Sequence, residues 1–474
     1  MTGGRPRRDW SVVVDRALVG VTGAAVTVQG AAALQPADFG RLSAVLVGYY
    51  FVLTALRAMV PGVYLARFAG WPGPPVGAAR WAQITSLRLA LLVSAATGLL
   101  AAAGPALSVS GRQLLGAAAV ALPLLVWQEA RRAVLLAAAR PGLAAASGAL
   151  VLAGQVTGGI AVRLAGRVSG PALLLCWAAG AAVAIGCVPV PDRRRLPGRA
   201  GAWRWLVEGR PHWLRSCCAD MALGGTGPAA VLLAAMAAGT LVAAGIRTAL
   251  LLLAPLVPAL RAAAHVAAAE AARARPARHR RFVAVCQAGT VVAGAAWLAA
   301  LAMLPRPALT PLVGANLAAG LAALPGMALF VVGSLLLAAP VAALCGSGHV
   351  QSGTALAVTL MPALLAAPVL IAVRGAGAAE VATAFGVFGV LSALAWTALS
   401  ATVQRPPPPG PGRTPQLGPG RTLQPNPGRT PQPGPGRTLQ PSSGRKPQPG
   451  PGLSRPWCDP TSGCCGRTAG RPAG

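Results

Sequence analysis

The chain is poor in charge. Only 11% of its 474 residues are Asp, Glu, Lys or Arg, against about 25% in an ordinary soluble domain. Aromatics are scarce too, at 4%, and a single lysine, Lys446, stands in the whole sequence. So few charges cannot cover the core of a soluble enzyme of this size. Signatures of chemistry are also missing. There is no G-x-x-x-x-G-K-[ST] for a nucleotide, and neither H-E-x-x-H nor G-x-S-x-G. The nine cysteines form adjacent pairs (Cys217–Cys218, Cys464–Cys465) or stand alone, and none has C-x-x-C spacing. His212, His265 and His279 have no carboxylate or thiol at ligand spacing. We therefore expect no enzyme, no metal and no cofactor.

What is abundant is apolar length. Hydrophobic residues make up 55% of the chain, gathered into runs long enough to cross a bilayer at about 20 residues each. The runs fall at about 12–34, 42–64, 83–103, 113–136, 143–162 and 171–190, and then at about 213–235, 237–260, 282–304, 319–344, 353–373 and 378–402. Between the two sets of six lies a Pro-punctuated connector carrying Arg193, Arg194, Arg195, Arg199, Arg204 and Arg210. The expected fold is an all-α polytopic membrane protein of about 12 transmembrane helices. Its parts are an N-terminal lobe (1–190), a basic cytoplasmic connector (191–212), a C-terminal lobe (213–404) and a tail (405–474).

The net charge of +31 is almost wholly arginine, and a GC-rich genome accounts for arginine in place of lysine. The arginines cluster between apolar runs, where the positive-inside rule explains them without nucleic acid. With the N-terminus in the cytoplasm, the inner segments hold Arg5, Arg7, Arg8, Arg67, Arg80, Arg131, Arg132, Arg140, the connector cluster and five arginines between 273 and 281. The outer loops hold only Arg41, Arg112, Arg163, Arg167, Arg306 and Arg374. Both termini are thus expected inside a plasma membrane. From Arg405 the composition changes. Gly412-Arg413-Thr414-Pro415-Gln416 recurs in variant form from Gly420, Gly428, Gly436 and Gly444, a period of eight. Such a segment cannot bury a core, so a disordered tail is expected. It is either an arm for anionic headgroups or a partner, or an expanded repeat without a role.

Ionisable groups inside apolar runs cost about 2.5–3.5 kcal/mol on insertion scales, and each needs a reason. Asp15–Arg16, one turn into the first span, is either a self-paired couple near the headgroups or a lining of the inner mouth of a cavity. Arg57 is expected near the outer third of the second span. Glu129 and Arg132 share a helical face at i, i+3 and can neutralise each other. Asp220 and Arg247, in the seventh and eighth spans, either pair with each other or face a common cavity. Arg57 and Arg247 stand in spans that occupy equivalent places in the two halves.

Several of these stretches resemble polysaccharide flippases of the multidrug/oligosaccharidyl-lipid/polysaccharide (MOP) exporter superfamily, in particular its actinobacterial members. Leu34-Gln35-Pro36-Ala37-Asp38-Phe39-Gly40-Arg41 is similar to their first outer turn, and Leu56-Arg57-Ala58 to a step in their second span. Leu124 to Arg132, and Ala244 to Ala249 followed by Pro255, are similar to their fourth and eighth spans. The sequence departs from that pattern at Val60-Pro61, Glu129 and Leu250. The resemblance implies two six-helix lobes and alternating access through a central cavity. It further implies an undecaprenyl-linked glycan as substrate and cell-envelope glycosyltransferases as partners. Arg57, Arg88, Glu129, Asp220 and Arg247 are the cavity candidates, with arginines chosen because guanidinium binds phosphate oxygens in pairs. A major-facilitator small-solute transporter and a non-transporting membrane scaffold are the alternatives. The former lacks its G-x-x-x-D-R loop, since Gly70 to Arg80 contains no Asp.

Overall fold

A computed structural model describes residues 5–64, 77–104, 108–189, 226–256, 276–337, 339–341, 344 and 350–403. The connector (191–212), Asp220, Glu270, His212, His265 and the tail (405–474) lie outside the described residues. Among the described residues there is no strand. The N-terminal lobe consists of α1 (Arg5–Ala33), α2 (Pro36–Arg57), α3 (Ala78–Ala103), α4 (Val109–Ala137), α5 (Pro141–Leu164) and α6 (Gly170–Cys187). The C-terminal lobe consists of α7 (Thr226–Ala238), α8 (Thr240–Leu252), α9 (Pro276–Met303), α10 (Arg306–Val313), α11 (Leu317–Leu336), α12 (Val350–Val373) and α13 (Ala378–Val403). Twelve of these fall on the expected spans. The thirteenth, α10, was not expected, because eight residues are too few to stand out in hydropathy.

Local chemistry sets the ends. Proline opens α2 and α5, where its missing N–H costs nothing. Ser108 and Ser169 cap α4 and α6 by accepting from the amides of Gly111 (3.2 Å) and Ala172 (3.3 Å). Pro61 lies within the continuation of α2 and has no N–H for the Arg57 carbonyl one turn back. The helix responds with a π turn over Ala58–Gly62.

Small residues bring helices together within each lobe. A β-carbon on Gly154 of α5 would lie 2.5 Å from the Gly180 Cα of α6. One on Gly386 of α13 would lie 2.6 Å from the Gly326 carbonyl of α11. In a bilayer, where apolar burial no longer drives helices together, such close approach is what holds them. Around these contacts sit two cores. Val26, Leu46, Leu125, Leu173 and Trp177 belong to the N-terminal one, and Ile246, Leu253, Met327 and Phe385 to the other.

The outward faces are apolar. Leu92 and Leu99 are each 68% exposed, and Leu164 and Met303 each 84%. Among the described residues, eight helices are long and apolar enough to cross a membrane. A surface of this kind belongs in lipid, and the chain is a multi-pass membrane protein.

The lobes meet along α1 and α2. Val47 of α2 packs into the C-terminal core. Ala31 and Phe39 form a cluster with Ala244, Leu252, Leu301, Leu309 and Val313. Gly40 lies against the Thr240 backbone carbonyl, so closely that no side chain fits there.

Candidate functional site

The intramembrane charges of the N-terminal lobe form one network. Asp15, on α1, is fully buried, and Arg132, on α4, is 2% exposed. The guanidinium grips the carboxylate with both prongs, Nε to Oδ1 at 3.0 Å and Nη2 to Oδ2 at 2.6 Å. Its third nitrogen, Nη1, donates to Glu129 Oε2 at 2.5 Å. Glu129 Oε1 lies 2.7 Å from Nη2 of Arg57 on α2. Two carboxylates and two guanidinium groups thus sum to zero, which is how such groups survive out of water. Side-chain exposure rises along the series, from 0% at Asp15 and 2% at Arg132 to 13% at Glu129 and 33% at Arg57. Arg57 is the network's open edge.

The Asp15 carboxylate is held by Arg132, 117 residues away, which satisfies both of its oxygens, and the Arg16 side chain lies outside the described residues. With the N-terminus in the cytoplasm, as expected, Arg57 falls toward the inner end of its span instead of its outer third. It shares a level with Glu129 and Asp15, at the end where α1 begins, since the chain has already run most of α2 from the Gly40 contact. By the helical rise, Arg57 lies about 25 Å from that contact and Arg247 about 10 Å from its Thr240 side. The two arginines therefore stand at different depths and do not mirror each other.

Arg247, on α8, reaches out of its own lobe. Its Nη2 donates to Thr27 Oγ1 of α1 at 2.8 Å, and its guanidinium lies 5.6 Å from the ring centroid of Tyr50 on α2. Its buried Nε has no hydrogen-bond partner among the described residues. Tyr50 is held in turn by ring contacts with Tyr49 (5.4 Å) and Trp177 (6.3 Å), and its hydroxyl fits only because position 23 is glycine. Thr27 and Tyr50 were not singled out in the sequence. A threonine and a tyrosine within apolar runs carry no signal until the two lobes are brought together. The i, i+3 spacing marks Arg132 only as a neutraliser of Glu129, and its role as the hub depends on α1.

Arg88 stands apart. It is exposed on α3, on the face that also presents Leu91 and Leu92 (50% and 68% exposed), and the structure does not bring it to the other charges. Arg131 turns away to donate to the Val188 carbonyl beyond α6 at 2.6 Å. Polar pairs tie further helices within the lobes: Gln155 donates to Gln29 Oε1 at 2.7 Å, and Gln287 to Thr397 Oγ1 at 2.8 Å.

No family model matches the chain, and no curated protein matches its sequence. Solved structures do match its fold. An inward-facing multidrug resistance MATE family transporter of the MOP superfamily aligns over 82% of this chain and 94% of its own, with a TM-score of 0.61 and 15% identity. The lipid II flippase MurJ, in an inward closed conformation, aligns over 82% and 87%, with a TM-score of 0.63 and 8% identity. A MOP superfamily transporter from Pyrococcus furiosus, described by a binding pocket of reverse polarity, aligns over 84% and 94%, with a TM-score of 0.52 and 14% identity. In its fold, among the described residues, the chain is thus similar to these MOP superfamily structures, at 15% identity or less.

Proposed function

We propose that this chain is a membrane transporter that moves an anionic, lipid-linked oligosaccharide or polysaccharide precursor across the cytoplasmic membrane by alternating access. The observation that carries this reading is Arg247. A guanidinium from one lobe is aimed at the other, where Thr27 and Tyr50 are its described partners and its Nε is unsatisfied. Cation and carboxylate balance in the N-terminal network, but no described carboxylate answers Arg247. A phosphate group supplies that anion and matches the planar fork. Arg57, held by Glu129 at the network's open edge, is the second cation and takes part once substrate draws it from the carboxylate. Asp220, as a further lining residue, is the remaining candidate of the C-terminal lobe. Arg88 contributes least, since its face is apolar.

The distribution of arginines supports both termini in the cytoplasm. The Asp15–Arg57 end then faces the cytosol, and the end around Gly40 faces outward. Substrate made by cell-envelope glycosyltransferases would enter from the cytosolic side, and the flippase neighbour supports the lipid-linked class.

The test is a flipping assay in liposomes with a fluorescent undecaprenyl-diphosphate sugar. Arg247→Ala is expected to lower the rate at least roughly ten-fold, and Arg247→Lys to fall between it and the native chain, because the charge remains without the fork. Equal rates for all three would refute the reading.

A further inference from the structure

The end at which the lobes meet is held by a contact of a different kind from the packing around it. A helix leaves its last carbonyls without amide partners from the next turn. In α1 the Gly30 carbonyl is taken by the Leu34 amide at 2.9 Å, and Ala31 and Ala32 follow it. The other lobe meets both. Asn316, 1% exposed, donates its Nδ2–H to the Ala31 carbonyl at 3.0 Å. Gly314 lies so near that a β-carbon would stand 3.0 Å from the Ala31 oxygen and 3.3 Å from that of Ala32. Its φ of 53° is one that side-chain-bearing residues rarely adopt. Both residues sit on a single turn of 3-10 helix, Gly314–Asn316, between α10 and α11. The α10 helix is seated by Leu309 and Val313 against Ala31 and Phe39. The end of a helix in one lobe is thus capped by a turn of the other, and the cap exists only while the lobes touch.

We infer that the turn at 314–316 is a cross-lobe latch. It holds the lobes closed at this end and lets go when they part. On release, water reaches the Ala31 carbonyl and the Asn316 amide, so a single hydrogen bond is exchanged for solvent and the latch is weak enough to work reversibly. The buried Asn316 Oδ1, which has no hydrogen-bond partner among the described residues, gains one at the same moment and favours release. Glycine at 314 makes the close approach possible, and asparagine at 316 supplies the directed bond. The purpose given to the latch rests on the alternating-access reading. Its existence rests on the contact itself.

The test uses the full chain in phospholipid nanodiscs, with spin labels at Gln35 and Arg306, both exposed and one in each lobe. The labels are attached through non-cysteine chemistry, since the chain has nine cysteines. The native chain is expected to give a predominantly short distance. Asn316→Ala removes the bond and Gly314→Ala drives a methyl into the Ala31 carbonyl, and each should raise the ratio of long to short distances roughly five-fold. Should Gly314→Ala fail to fold, Asn316→Ser, too short to reach the carbonyl, carries the same expectation. An unchanged ratio in the Asn316 variants would overturn the latch. A latch that responds as expected in a chain that flips no lipid-linked sugar would sink the transport reading alone.

Discussion

The two lobes share a helical plan and differ in what they bury. Among the described residues, the N-terminal lobe encloses Asp15 and Arg132, together with Gln128, Ser147 and Gln155. The described core of the C-terminal lobe is apolar, with Met327 and Phe385 at its centre and Thr248, Asn316, Ser392 and Ser400 as its buried polar side chains. Its intramembrane cation, Arg247, points away from that core toward Thr27 and Tyr50. Glycines approach closely in both lobes, and among the described residues only the N-terminal lobe adds a network of buried charge. This division has a mechanical reading. Paired charges with fixed geometry make α1, α2 and α4 a single body, whereas a cation that leaves its own lobe becomes part of the boundary.

The sharpest way to break the comparison is at Arg132. Arg132→Met strips the Asp15 carboxylate of both guanidinium bonds and leaves a buried charge, at an expected cost of about 3–5 kcal/mol. Thermal unfolding in detergent should show a large fall in Tm, with Asp15→Asn added to Arg132→Met recovering part of it. If the single change is harmless, the network is not what ties the lobe. In the C-terminal lobe the corresponding blow is steric. Gly386→Val places methyl groups against the Gly326 carbonyl and should cost about 1–3 kcal/mol by overpacking, read from the same unfolding curves.

Arg247→Ala is expected to be milder for stability, near 1 kcal/mol for a lost hydrogen bond, while the flipping rate falls. A Tm loss as large as that of Arg132→Met would mean that Arg247 is structural after all. The smallest effect is at the rim. Asp38→Asn breaks an exposed i, i+3 pair with Arg41 (2.5 Å), and a change below about 1 kcal/mol is expected in unfolding at any salt concentration.

Some of this was legible before any coordinates. The i, i+3 spacing of Glu129 and Arg132 predicts their pairing, and the pair is there at 2.5 Å. Asp15 is different: Arg132 reaches its carboxylate from another helix, and no spacing along the chain announces a partner 117 residues away. The level of Arg57 is not readable from its run, since distance along a run says little until a contact such as Gly40 against Thr240 marks one end. Short α10 escaped notice, although its buried Leu309 and Val313 are spaced i, i+4.

By itself the sequence determined that the chain crosses a membrane with two sets of six helices and where most of them lie. Transfer into lipid is a local property, summed residue by residue along a run of about 20. Tertiary structure alone decided that Arg132 is the hub of the charges, that Arg247 faces Tyr50, and that Asn316 caps α1. Each of these depends on which helix faces meet, and residues 117, 197 and 285 positions apart become neighbours only through packing.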